Sequence, residues 1–484
     1  MRKLLRPQDL EHEPNDPRAI KLLQRTLFLL VLELTFEGIA RKLNISGTSL
    51  AIFLLKDVIV AVLGIQVLRL RRSAAIGFLW KAYLVEIFLF MPLIFQTAVH
   101  DPVLAVFGAK EYLFYPLVAF AVFLAFENAS VQEIIRFFRG MALLIIPTVA
   151  VALLQLRLPA SHWLNLSVGG DNLDAFSAAG FLRVSSTFSF VAQYCAFINA
   201  EVFITMIALN SLKDVGWFWK MIYLSLVPLL IVSSYITGSR GAVLINCLII
   251  AIAVGLSLMK FQLRTAIRVV FIIGGLLLTL AVAQYVFPDA FAAYSEREQG
   301  QLIGASAEMQ ARVYDTMFGW TNSISTTPFL GYGLGIMSNG SEMLSRYAGM
   351  TRAFSWTETD FATTLFEGGF YLILVWYAFR YYIIYQVVRR FLAMRGQELS
   401  VPGAFSVGFV IVMGITGTLG IQPPIAIWWW ISVGIALVIW WKSVEPAPAA
   451  PPSDKSAPPP APPSVPGKRR GQSAYAERLH LGRK

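Results

Sequence analysis

The sequence predicts an all-α fold: a polytopic integral membrane protein of about 12 transmembrane helices with one large external loop. Three observations lead there. Of 484 residues, 56% are apolar and only 14% charged, against roughly a quarter charged in soluble domains. The apolar runs reach the ~20 residues that span hydrocarbon as helix. They do not alternate as barrel strands would: the run 245–259 is interrupted only by Asn246 and Ser257.

The spans fall near 20–40, 50–69, 75–96, 111–128, 138–157, 184–208, 218–237, 241–259, 266–287, 361–385, 404–421 and 425–441. No internal repeat and no inverted pair of broken helices is visible in the pattern. Basic residues in short loops set orientation. With a cytoplasmic N-terminus, the inside loops hold Arg69, Arg71 and Arg72; Arg136 and Arg139; Lys213 and Lys220; Lys260, Arg264 and Arg268; and Arg389, Arg390 and Arg395. The loop 288–360 then lies outside. The chain divides into a helical membrane domain, 1–442, and a tail, 443–484. The tail is rich in Pro and Ala, ends in basic residues such as Lys468, Arg469 and Arg470, and is expected to be disordered and cytoplasmic.

The net charge of +11 follows from this topology and the tail, so it does not point to nucleic acid. Cys195 and Cys247 fall in apolar runs and read as small core residues, not a disulfide. The first residues are polar, with no early apolar stretch ending in a cleavage site. His12, His100, His162 and His480 do not cluster, and no Cys/His set has metal-ligand spacing, so no metal and no cofactor is expected. The run Gly331-Tyr332-Gly333-Leu334-Gly335 follows no strand of a βαβ unit and reads as a flexible external turn.

Several arginines break the positive-inside trend. Arg157 and Arg183 bracket the loop after the fifth span. Arg240 sits in the short turn Thr237-Gly238-Ser239-Arg240-Gly241, and Arg297, Arg312, Arg346 and Arg352 lie in the long loop. Guanidinium groups clamp phosphate in a fork and stay charged at any working pH. Outside the membrane they suit an anionic, lipid-borne ligand such as a diphosphate; a solvated surface charge, or a partner for Glu296, Glu298 or Glu308, is the plainer reading. The turn at Arg240 is too short for the plainer reading to suffice.

Within the loop, Met309, Val313 and Phe318 or Trp320 recur at helical spacing, which predicts an amphipathic helix over 307–323 with Arg312 and Asp315 able to pair. Glu358 and Asp360 precede the tenth span. Either is a general base at a membrane mouth or a helix N-terminal acid favoured by the macrodipole; for Asp360 the second reading is preferred. Trp163, Trp320, Tyr332, Tyr347 and Trp356 are external aromatics that suit sugar rings or an interfacial belt. Charges inside the spans, Glu33 and Glu37, Lys56 and Asp57, Lys81 and Glu86, and Glu201, are expected to face the bundle interior. A Glu37–Lys56 pair is the specific expectation.

Short motifs along the chain resemble the O-antigen ligase and O-antigen polymerase superfamily of bacterial membrane glycosyltransferases. They are Glu37-Gly38-Ile39-Ala40-Arg41-Lys42 with Leu55-Lys56-Asp57; Gly108-Ala109-Lys110-Glu111-Tyr112; Arg183 followed by Ser186-Thr187-Phe188; and Thr237-Gly238-Ser239-Arg240-Gly241-Ala242. Arg312 with Trp320, then Pro328-Phe329-Leu330-Gly331-Tyr332-Gly333, and Glu367-Gly368-Gly369 complete the set. The resemblance implies an oligosaccharide on undecaprenyl diphosphate as substrate, at the periplasmic face of the bacterial inner membrane. It also implies metal-independent, inverting glycosyl transfer, with other polysaccharide-assembly proteins as partners. Arg240 and Arg312 would then stabilise the leaving diphosphate. Arg183, Arg157, Arg352, Trp320 and Trp356 would bind substrate. The superfamily's ligases carry a histidine near the end of the large loop. None lies in 288–360 here, and Glu358 stands about where it would be. This favours a polymerase of O-antigen or exopolysaccharide repeat units, with Glu358 as base, over a ligase acting on a lipid or protein acceptor. A transporter of lipid-linked sugars is the alternative from another class, and a non-catalytic scaffold a third.

Overall fold

The computed structural model describes residues 15–43, 48–168, 183–259, 324–338, 359–394 and 399–444, with Gly274, Tyr285, Tyr314, Phe318 and Thr321. The ninth expected span, most of the helix expected at 307–323 and the tail from 445 lie outside them. Within them the secondary structure is helical: α1 Pro17–Lys42, α2 Ser49–Arg69, α3 Gly77–His100, α4 Pro102–Leu113, α5 Pro116–Phe126, α6 Val131–Ala142, α7 Ile145–Arg157, α8 Val191–Ala208, α9 Trp217–Ile236, α10 Arg240–Leu258, α11 Asp360–Ala393, α12 Ser400–Thr416 and α13 Pro423–Val444. Among the described residues, eight helical stretches are long and apolar enough to cross a membrane, with α6 and α7 together making one of them (Val131–Arg157), or nine if the bent pair α4–α5 counts as one span. The chain is a polytopic helical membrane protein. α1 carries Glu33 and Glu37 in its apolar stretch and stands outside that count, as does the shorter α12.

The centre is α13, with 94% of its apolar window buried. Its Trp428, Trp429 and Trp430 are all buried, and α5, α8, α11 and α12 pack on it. The Trp429 indole N–H donates to the Val410 carbonyl of α12 at 2.9 Å, satisfying a polar group that hydrocarbon cannot.

Several expected spans are interrupted. The span expected at 111–128 begins at Pro102 and bends by 42° between α4 and α5. Pro116 supplies no N–H at the start of α5, so the α4 ladder cannot run through it. The span expected from 184 begins at Val191; residues 183–190 are not helical, and Ser186 has φ 53°.

The tenth span departs furthest. In a straight helix Asp360 and Arg380 would stand about 30 Å apart. They form an ion pair instead. The Tyr377 hydroxyl donates to Asp360 Oδ2 at 3.1 Å, and the Phe361 and Tyr377 rings lie 5.0 Å apart. Residues 360–368 therefore fold back on 370–393 in a sharp V. The turning point is Gly369, at φ 64°, ψ −161°, a conformation essentially reserved for glycine. A Cβ there would sit 2.1 Å from the Phe329 oxygen. Interrupted helices are thus present where the apolar pattern showed none.

Both cysteines are free, as expected, but Cys247 is exposed and Cys195 half-buried, so neither is a core residue. Cys247 points off α10, whose apolar window is mostly unburied.

Candidate functional site

α9 ends at Ile236, and the chain turns within three residues. The Thr237 hydroxyl donates to Ser234 O at 2.9 Å and accepts from Ser239 N at 3.1 Å. Gly238 N donates to Tyr235 O at 3.0 Å, and Gly238 takes φ 62°. Ser239 caps α10 by accepting from Ala242 N. Arg240 is the first residue of α10 and half-buried. The positive end of the helix dipole at this turn favours an anion.

Arg183, also half-buried, lies against this turn: a Cβ on Gly238 would be 3.5 Å from its Cγ. The residues after it are built into the bundle. Ser186 N donates to Gln155 Oε1 at 2.7 Å, and its hydroxyl donates to Thr148 O at 2.6 Å. The Thr187 hydroxyl donates to Thr35 O, while Ile39 N donates to Thr187 O at 2.7 Å. Residue 187 thus bonds the α1 backbone at two points. Gly38 makes room: a Cβ there would meet the Phe188 carbonyl carbon at 1.9 Å. Phe188 then packs on Tyr194 and Phe197 of α8.

The expected Glu37–Lys56 pair is present at 3.2 Å, and Arg41 joins it at 3.0 Å from Glu37. Next on α2, Asp57 takes Lys110 at 2.9 Å and the Tyr115 hydroxyl at 2.8 Å. On α4, the Tyr112 hydroxyl donates to Glu367 Oε2 at 2.6 Å. Glu367 Oε1 accepts from Met337 N at 3.1 Å. Motifs far apart in sequence are thus joined in pairs by buried polar contacts: Glu37 to Lys56, Asp57 to Lys110 and Tyr112 to Glu367.

The glycine run 331–335 is not a flexible turn. Gly331, Gly333 and Gly335 all have positive φ, and the run is buried apart from half-buried Tyr332. Tyr332 N and Gly333 N donate to the carbonyls of Phe366 and Glu367. Leu334 N donates to the Thr97 hydroxyl at 2.9 Å. A Cβ on Gly108 would lie 2.3 Å from the Leu334 backbone. The glycines let this segment wedge between α3, α4 and the V of α11.

Of the expected site residues, Arg183 and the Arg240 turn are brought together. Arg157 is exposed at the end of α7. Arg312, Arg352, Trp320, Trp356 and Glu358 lie outside the described residues. Asp360 stands at the first turn of α11, where Thr359 caps the helix, but its carboxylate accepts from Arg380, Tyr377 and Gly420 N, so these partners, and not the helix dipole alone, hold it. Arg380 was not singled out in the sequence, although an arginine inside an apolar span was the signal that could have found it. Tyr112 and Tyr115 carry no such signal. Among the described residues no group of His, Cys, Asp and Glu is arranged to hold a metal. No protein-family model matches the chain, and no curated protein matches it.

Proposed function

We propose that the chain is a membrane glycosyltransferase that polymerises undecaprenyl-diphosphate-linked oligosaccharide repeat units at the periplasmic face of the bacterial inner membrane. The observation that carries this reading is the packing of Arg183 on the Gly238 turn, next to Arg240 at the head of α10. Two guanidinium groups at a helix N-terminus suit a diphosphate. With twelve spans and a cytoplasmic N-terminus, this turn, the α1 end at Lys42 and the loop 288–360 share the external side.

In the proposed reaction an acceptor hydroxyl attacks the anomeric carbon with inversion. Its proton passes to a base, for which Glu358 is the candidate, as the carbon–oxygen bond to the lipid diphosphate breaks. Arg240 and Arg312 neutralise charge as it grows on the leaving diphosphate, the kind of stabilisation that carries most in such transfers. The motifs at Glu37, Lys56–Asp57, Lys110–Tyr112 and Glu367 are joined in pairs by buried polar contacts, which supports the reading; the missing loop histidine favours polymerase over ligase.

One observation favours a transporter of lipid-linked sugars: the bend at α4–α5 and the reversal at Gly369, with buried Glu367 beside it, are features that transporters use. Purified protein with a lipid-linked repeat unit separates the readings. A ladder of lengthened glycans supports the polymerase. Movement of the lipid across proteoliposomes without lengthening would replace it with the transporter.

A further inference from the structure

Lys42, the last residue of α1, is buried at 6% exposure. Its ammonium donates to Leu164 O at 3.0 Å and to the Ser185 hydroxyl at 2.7 Å. Both acceptors are neutral, and among the described residues no carboxylate pairs with it. A buried cation without an acid is costly; these two hydrogen bonds and the carbonyls ending α1, through the helix dipole, offset part of that cost. What the ammonium joins is specific. Leu164 stands early in the loop between α7 and α8, and Ser185 stands at its end, two residues after Arg183. Gln155 of α7 donates to the same Leu164 oxygen at 2.8 Å, and Asn165 donates back to Gln155 O at 3.1 Å. The two flanks of this loop therefore share one knot with the end of α1, and Arg183 issues from it toward Gly238.

We infer that Lys42 is a positioning residue: it ties both flanks of the 158–190 loop to α1 and so holds Arg183 against the Gly238 turn, where a lipid-borne diphosphate would be bound. This rests on the proposed reading of Arg183 as a diphosphate contact. Lys42 touches no ligand in this account. Its effect passes through Arg183.

The test is binding of undecaprenyl diphosphate to the full-length protein in nanodiscs. Wild type is compared with Lys42→Met, Lys42→Arg, Ser185→Ala, Arg183→Ala, Arg240→Ala and the double variant Lys42→Met/Arg183→Ala. Lys42→Met should weaken binding about tenfold, or by about 1.4 kcal/mol. Lys42→Arg should recover part of that. Ser185→Ala removes the same bond from the other side, should act in the same direction, and serves if Lys42→Met does not fold. The double variant should bind no worse than Arg183→Ala alone, because a positioning residue has nothing left to position. Independent, additive losses would overturn the inference, as would wild-type binding by both Lys42→Met and Ser185→Ala while Arg183→Ala is weakened; in either case the proposed function stands. Undiminished binding by Arg183→Ala removes the inference, and the same result for Arg240→Ala removes the proposed diphosphate site with it.

Discussion

Asp360 and Arg380, 20 residues apart on the two arms of α11, form a buried ion pair. The pair holds the V of α11 closed, and Arg380 also donates to Gly417 O at 3.0 Å, tying the V to the end of α12. Removing one partner strands the other charge. Arg380→Met or Asp360→Asn should each lower stability by about 3–5 kcal/mol, read as a large drop in thermal midpoint in detergent. The double variant should recover part of the loss. Single variants that melt like wild type would mean the pair does not hold the fold.

Gly38 and Gly255 form a matched contrast. A Cβ at Gly38 collides with the Phe188 backbone, whereas at Gly255, inside α10, nothing lies within 4 Å. Gly38→Ala should cost about 1–3 kcal/mol by overpacking and disturb the segment that carries Arg183. Gly255→Ala should be neutral or stabilise by up to about 1 kcal/mol through helix propensity. Thermal melts of the two proteins, run side by side, check both signs.

The Glu367 carboxylate is held by the Tyr112 hydroxyl and by Met337 N. Tyr112→Phe leaves a buried acceptor without its donor, at a cost of about 1–3 kcal/mol. Glu367→Gln keeps shape and hydrogen-bonding capacity and should cost less than Glu367→Ala. Limited proteolysis within 324–338 provides a local readout: cleavage should rise in the order wild type, Gln, Ala. Equal rates in all three would show that Glu367 does not pin this segment.

The proposed topology makes a direct claim about sides. In a background with Cys195 and Cys247 replaced by serine, a single cysteine at exposed Arg157 should react with a membrane-impermeant maleimide applied from outside. One at exposed Arg71 should react only after lysis. The reverse pattern would invert the protein and remove the external arginine site.

Much of the bundle is legible in the sequence because apolar length marks a span whatever its tertiary partners. The Glu37–Lys56 pair is legible too, since opposite charges in neighbouring spans have few other options. The V of α11 is not. An apolar window reads the same for a straight helix and a folded one, and the reversal needs only Gly369 and an ion pair closed over 20 residues. The glycines at 331, 333 and 335 misled for a related reason. Glycine spacing suggests a loose turn, yet here positive φ and close approach to Gly108 and Gly369 lock the segment in place. Arg240 stands out in sequence by its short turn. Arg183 carries no such signal: its contact with the Gly238 turn comes from tertiary packing of a segment more than 50 residues away in sequence.

The most direct test of the central claim is the rate of glycan lengthening by purified protein on an undecaprenyl-diphosphate-linked repeat unit, with arginine, lysine and alanine at position 240. A guanidinium fork stabilising a leaving diphosphate is only partly replaced by a point charge. Arg240→Ala should lower the rate by about 100-fold or more, as loss of one such electrostatic contact does, and Arg240→Lys should fall between Ala and wild type. Lengthening by Arg240→Ala at the wild-type rate, or no lengthening by the wild type itself, would contradict the account.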